Sequence, residues 1–124
     1  MAARRSSHRR GLRAELLAAL WLRLKGYRIL ARRYRSPVGE IDLVIARGRQ
    51  VAAVEVKLRG DRDSAAAAIP PGQWQRIARA LEMWRQDNPA FQAHDLRFDA
   101  MLMAPGRLPR HLPNALWLEE GEGR

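Results

Sequence analysis

Four charged residues on two apolar runs are the side chains in this sequence best arranged to do chemistry. In "GEIDLVIARGRQVAAVEVK", residues 39–57, Glu40, Asp42, Glu55 and Lys57 interrupt segments that are otherwise strand-like. A tight hairpin with Gly48-Arg49 at its centre suits a type II′ turn, because glycine takes the first central position. Pairing outward from that turn sets Asp42 opposite Glu55 and Glu40 opposite Lys57. Directly opposed residues share a sheet face, with Cβ atoms roughly 4.5–5.5 Å apart. Two carboxylates so close repel unless a cation lies between them. A hard ion such as Mg²⁺ is held by one or two carboxylates, with water and a substrate phosphate completing its shell. Lys57 projects from the same face as Glu55, where it could hold an attacking water or offset charge developing on a phosphodiester. A slip of one residue would put Asp42 and Glu55 on opposite faces, so the chemistry stands or falls on register.

Glu15 is the fourth carboxylate to weigh. On a helix its neighbours three, four and seven residues on are Ala18, Ala19 and Leu22, and a carboxylate inside an apolar stripe costs free energy unless paired. If that helix crosses the sheet edge, Glu15 reaches the same ion. Plainer readings fit the same residues. Glu40 and Lys57 make a reasonable cross-strand ion pair, Asp42 and Glu55 could simply face water, and Glu15 could sit near a helix start. His8, His94 and His111 are far apart with no metal-ligand spacing, and no Gly-x-Ser-x-Gly elbow or phosphate-cradling glycine loop occurs.

The elements that must position these groups follow from periodicity. Leu12, Leu16, Ala19, Leu20 and Leu24 recur at helical spacing, which predicts a helix over 12–25 stopped by Gly26. Strands are predicted at 27–35, 40–46 and 51–58. In the second, Ile41, Leu43 and Ile45 point one way and Glu40, Asp42 and Val44 the other. A helix over 73–86 carries Trp74, Ile77, Ala78, Leu81 and Trp84 on its apolar stripe. A further strand at 96–103 alternates Leu96, Phe98, Ala100 and Leu102 against Arg97 and Asp99, and "ALWL" at 115–118 suggests an edge strand. Short turns predict an antiparallel meander, and the crossover helix then returns a parallel strand. The fold class is α/β, with a mixed sheet flanked by helices. Residues 1–10 read as a flexible basic arm, 11–118 as one domain and 119–124 as a polar tail.

Composition narrows the partners. The chain has 124 residues, enough for one core, and no cysteine, which removes disulfides, thiolate metal sites and cysteine nucleophiles. Lys plus Arg is 23 against 13 for Asp plus Glu, a formal charge of +10. Arginine's planar fork suits phosphate oxygens, which makes nucleic acid the leading partner class, although an arginine-rich proteome would give the same balance. The longest apolar run, "LLAALWL", is too short to span a bilayer. Glu15 at its head and the lack of a cleavage site argue against a leader, so the reading is a cytoplasmic protein without a membrane span.

"GLRAE" at 11–15, "GYRILARRYRSPVGEIDLVI" at 26–45, "VEVKLR" at 54–59 and "RFDAM" at 97–101 together resemble the bacterial YraN family. That family is mostly uncharacterised and similar to archaeal Holliday-junction resolvases, in the PD-(D/E)xK nuclease superfamily. The resemblance implies a restriction-endonuclease-like α-β-β-β-α-β core and a Mg²⁺- or Mn²⁺-dependent endonuclease acting on structured or branched DNA. It assigns Asp42 and Glu55 to the metal, Lys57 to positioning water, and Glu15 to a further ligand or outer contact, with Glu40 inside the Gly-Glu-Ile-Asp signature. Phosphate contacts would come from Arg4, Arg5, Arg9, Arg10, Arg32, Arg33, Arg35 and Arg59. Cutting a junction needs two active sites, which implies a homodimer. Gln73 stands where relatives commonly place a lysine, and the loop at 60–68 replaces a phenylalanine-glycine element with alanines. Both departures leave open a DNA-binding protein that keeps the nuclease fold without turnover.

Overall fold

Helix α1 ends where its sequence says it should. Gly26 takes φ +93, its N–H donates to the Arg23 carbonyl and the Tyr27 N–H to that of Leu22, the paired closure that a left-handed glycine allows. The computed structural model describes residues 2–58 and 69–115, with side chains from residue 11 onward. Helix α1 spans Ala2–Leu24, so the backbone of 2–10, read from sequence as an irregular arm, continues the helix. Alanine and arginine, which dominate that stretch, are both strong helix formers.

Three strands follow, β1 (Arg28–Ser36), β2 (Gly39–Arg47) and β3 (Gln50–Leu58), then α2 (Pro71–Gln86), a short 3₁₀ turn at Pro89–Phe91, β4 (Asp95–Met103) and β5 (Arg110–Leu112). The five-stranded sheet has the order β1-β2-β3-β4-β5. It is antiparallel except for the β3–β4 pair, which the α2 crossover makes parallel. This is the expected α-β-β-β-α-β core with one added edge strand. The edge strand differs in place from the expectation: β5 lies at 110–112, and "ALWL" falls largely outside the described residues.

The sheet separates two cores. Trp74, Ile77, Ala80, Leu81 and Trp84 of α2 pack on Val44, Ala46, Val51, Ala53, Ala100 and Leu102. On the other face Ala14, Ala18, Ala19 and Leu22 of α1 cover Leu43, Ile45, Ala52, Val54 and Met101. The α2 stripe matches the sequence reading apart from Ala80, which replaces the half-exposed Ala78. The α1 stripe does not: Leu16, Leu20 and Leu24 are 53%, 54% and 76% exposed, while the alanines are buried. Small residues let the helix backbone lie close on the sheet, and the larger leucines are turned outward.

On the α1 face β4 carries a buried polar lock. Arg97 donates to both Asp99 oxygens at 2.9 and 2.8 Å, to Gln50 Oε1 at 2.6 Å and to the Tyr27 hydroxyl at 2.8 Å. Asp99 also accepts the Asn114 amide at 3.1 Å and meets His111 Nε2 at 2.8 Å, while His111 Nδ1 lies 2.7 Å from Lys25 Nζ. His111 Nδ1 therefore accepts from the Lys25 ammonium, and its Nε2–H donates to Asp99. Burial is outweighed by these donors, which hold the Asp99 carboxyl below its usual range. The cluster fastens β5 and the start of the C-terminal segment to the sheet.

Candidate metal and phosphate site

The β2–β3 hairpin has the predicted register. Paired rungs run from Arg47–Gln50 to Leu43–Val54. Gly48 takes φ +60 and Arg49 is not among the positive-φ residues, as a type II′ turn requires. Beyond Leu43–Val54 the sheet forks. β2 stays paired to β1 as far as Gly39, and β3 stays paired to β4 as far as Leu58, but the two are no longer bonded to each other. Asp42 and Glu55 occupy the next rung, inside the fork. Asp42 Oδ2 accepts the Val56 backbone N–H at 2.8 Å, supplying an acceptor where the ladder lacks one.

The alternation predicted for β2 fails at this point. Ile41 packs with the α2 core, whereas Leu43 and Ile45 face α1. Opposite them, Arg33 of β1 takes φ +54, between the paired rungs Arg32–Leu43 and Tyr34–Ile41. A non-glycine residue in that region costs on the order of 1–3 kcal/mol. Both strands thus turn at the 33/42 rung, and the irregularity lies against the carboxylates.

Glu55 is buried, with 7% of its surface exposed. Burial first, and then the charge of Asp42, push its pKa up to about 8. Asp42 is also raised by burial, an effect partly offset by the Val56 N–H and by Lys57. The two carboxyls are close enough to share a proton, so the pair titrates as a unit. Lys57 Nζ lies 3.6 Å from Glu55 Oε1.

Glu15 comes from α1, on its alanine face. Burial and the Asp42 charge raise its pKa, against the lowering fields of Arg33, Arg32 and Arg35. Arg33 Nε stands 3.8 Å from Glu15 Oε2. Asp42, Glu55 and Lys57 are therefore neighbours, and Glu15 is linked to them through the field of Asp42, with Arg32, Arg33 and Arg35 on its own side. Among the described residues no three acidic or histidine side chains gather tightly enough for a metal cage, so Glu15 belongs to the surroundings of the Asp42–Glu55 pair. Glu40 does not pair with Lys57. It is exposed and lies 3.9 Å from Arg35, and it acts on Asp42 only through its field. Gln73 is half-buried in the first turn of α2. Arg59 and the side chains of Arg4, Arg5, Arg9 and Arg10 lie outside the described residues.

Two crowded carboxylates whose ionisation is held back, with a lysine at the rim, fit a small divalent ion: Mg²⁺ needs only one or two protein carboxylates, and its charge would favour the ionised forms that burial above all holds back in both.

The profile of Uncharacterised protein family UPF0102 matches residues 14–103, which include every residue of this site. The chain belongs to that family. UPF0102 proteins similar to it include one from Parvibaculum lavamentivorans, 54% identical over 89% of this chain and 83% of the relative. Another, from Rhodopseudomonas palustris (strain BisB5), is 55% identical over 85% of this chain and 80% of its own length. A third, from Methylorubrum extorquens, is 52% identical over 95% and 92%. UPF0102 is the YraN family that the sequence motifs resemble.

Sequence reasoning missed Arg33's left-handed backbone, the Asp42–Val56 bond and the Arg97–Asp99–His111 lock. The Gly-Glu-Ile-Asp segment was a signal for the second, since an aspartate inside a strand has a short acceptor to offer an amide left unpaired beside it.

Proposed function

We propose that this UPF0102 protein is a divalent-metal-dependent endonuclease that hydrolyses phosphodiesters in structured DNA, branched junctions included. The observation that carries the reading is the pair of buried Glu55 and half-buried Asp42 in the sheet fork, with Glu55 raised to about 8 and Lys57 3.6 Å away. Two acids this close resist ionisation, and a divalent cation held between them would offset that cost. Asp42 and Glu55 would hold Mg²⁺ or Mn²⁺, which supplies Lewis-acid polarisation of a phosphoryl oxygen and a more acidic water.

The chain's own groups have distinct tasks. The Val56 N–H fixes one Asp42 oxygen, and the other, which now meets Glu55, would be the one given to the ion. Lys57 orients water and offsets negative charge on the phosphate. Arg32, Arg33 and Arg35 attract the DNA backbone, which favours affinity that falls steeply with salt. A junction offers two strands to cut, so a pair of protomers would act together.

A second reading is a DNA-binding protein without turnover, favoured by Gln73 in place of a lysine and by the lack of a ready-made three-ligand cage among the described residues. Incubating labelled four-way junction and plain duplex with Mn²⁺, Mg²⁺ or chelator separates the two. Metal-dependent cleavage by wild type that is lost in Glu55→Ala and Lys57→Ala supports the enzyme. Salt-sensitive binding without cleavage supports the second reading, and cleavage that survives both substitutions would show a contaminant.

A further inference from the structure

Arg33 is the one non-glycine residue of β1 held at positive φ, and neither turn chemistry nor burial accounts for it. Arginine has no preference for that conformation. In the β1–β2 ladder it falls between the pairs Arg32–Leu43 and Tyr34–Ile41, on the level of Asp42. Its side chain reaches Glu15 on α1, with Nε 3.8 Å from Oε2. That is a loose single contact and not the bidentate fork arginine makes when a carboxylate is its final partner. The Arg33 side chain is 35% exposed and that of Glu15 18%. A strained backbone thus directs an exchangeable cation beside the carboxylates.

We propose that Arg33 is a positioning residue of this site: a tethered cation that holds Glu15 while no divalent ion is bound, and that turns to the substrate phosphate once an ion occupies the Asp42–Glu55 fork. This rests on the nuclease reading above. The ion and Arg33 compete for the same negative field. Arrival of the ion weakens the hold of Glu15 on Arg33, and a phosphate ligand supplies the planar, doubly accepting partner that Glu15 does not. Metal and DNA binding are thereby coupled through one side chain.

The test uses the full chain as wild type, Arg33→Gln, Arg33→Lys, Arg33→Gly and the neighbouring control Arg35→Gln. Mn²⁺ affinity is measured by calorimetry without DNA, four-way-junction affinity in Ca²⁺ over a salt series, and stability in urea. Arg33→Gln should bind Mn²⁺ about five-fold more tightly, yet bind junction more weakly with a salt slope reduced by about one. Arg33→Gly should show the same opposed changes with a higher urea midpoint, because the strain is relieved. Arg33→Lys should keep the Mn²⁺ affinity near wild type but lose junction affinity. Arg35→Gln should weaken junction binding as well, but because the Arg35 field reaches Glu15 less strongly than that of Arg33 and Arg35 faces Glu40 instead, it should tighten Mn²⁺ binding by less than Arg33→Gln does; an equal or larger gain would overturn the assignment to Arg33. A purely structural role would lower both affinities of Arg33→Gln together, and unchanged affinities would also overturn the assignment. Wild type that binds no Mn²⁺ would overturn the nuclease reading as well, whereas Mn²⁺ binding unaffected by Arg33→Gln would overturn only the role of Arg33.

Discussion

Asp42 bonds to Val56 across the fork of the sheet, carboxylate to backbone amide, at 2.8 Å. The residue therefore closes the end of a strand pair and, in the proposed site, has the second duty of giving its other oxygen to the ion. Substitutions divide them. Asp42→Ala strands the Val56 amide and should lower stability by about 1–3 kcal/mol. Asp42→Asn keeps an acceptor, should lose less than half of that, and should still abolish Mn²⁺ binding. Urea unfolding beside calorimetry reads both; equal losses of stability would mean that the bond contributes nothing.

The pH response of the metal-free protein follows from Glu55. Its pKa is raised from 4.5 to about 8, so the unfolded chain gives up this proton first as pH rises. The group's contribution is fully present below about 4.5 and is lost progressively up to about 8. The melting temperature should accordingly fall between pH 5 and 8 in chelator. Glu55→Gln should flatten that slope, and Mn²⁺ should stabilise wild type more at pH 8 than at pH 5. A melting profile that Glu55→Gln leaves unaltered would contradict the burial of an ionisable pair.

The lock at Asp99 has the opposite sign. Its pKa is lowered, so its contribution is present above the ordinary aspartate range and disappears only in acid. Asp99→Ala leaves the Arg97 guanidinium buried without its anion, which should cost about 3–5 kcal/mol in urea. Mn²⁺ affinity should stay within about two-fold of wild type in the fraction that remains folded, because the bonds of Asp99 go to Arg97, His111 and Asn114 and not to the carboxylate pair.

Gly39 presses on helix α2. A β-carbon there would stand 2.5 Å from the Arg76 carbonyl oxygen, a backbone atom that cannot rotate away. Gly39→Ala should destabilise by about 1–3 kcal/mol through forced displacement of the helix. Gly72→Ala, where a β-carbon meets nothing within 4 Å, is the matched control and should be neutral or slightly stabilising.

What was legible in the sequence was whatever a local rule dictated. Gly48 fixed the hairpin turn and hence the Asp42–Glu55 rung, and the tryptophan-bearing stripe of α2 has one arrangement that covers a sheet. The face of α1 was misread because size was taken for burial: Leu16 and Leu20 looked like core, whereas close approach to the sheet selects Ala14 and Ala18. Alternation along β2 gave the wrong side for Ile41, since nothing in the chain marks Arg33 and Asp42 as the rung where both strands turn. The alternation of Arg97 and Asp99 with apolar residues says nothing of their burial, because the groups that cover them, Tyr27, His111 and Asn114, are remote in sequence. β5 is three residues of Arg-His-Leu, too short and too polar to announce itself.

The alanine face of α1 also sets a thickness. Ala14 and Ala18 act as thin shims between the helix and the sheet, and Glu15 sits between them with only a short side chain to span the remaining gap. Broader residues at those two positions would raise the helix like a lid on a grain of sand, and the glutamate would rise with it, out of reach of Asp42 and Arg33. The smallest side chains of the helix thus set how far its one acid can reach.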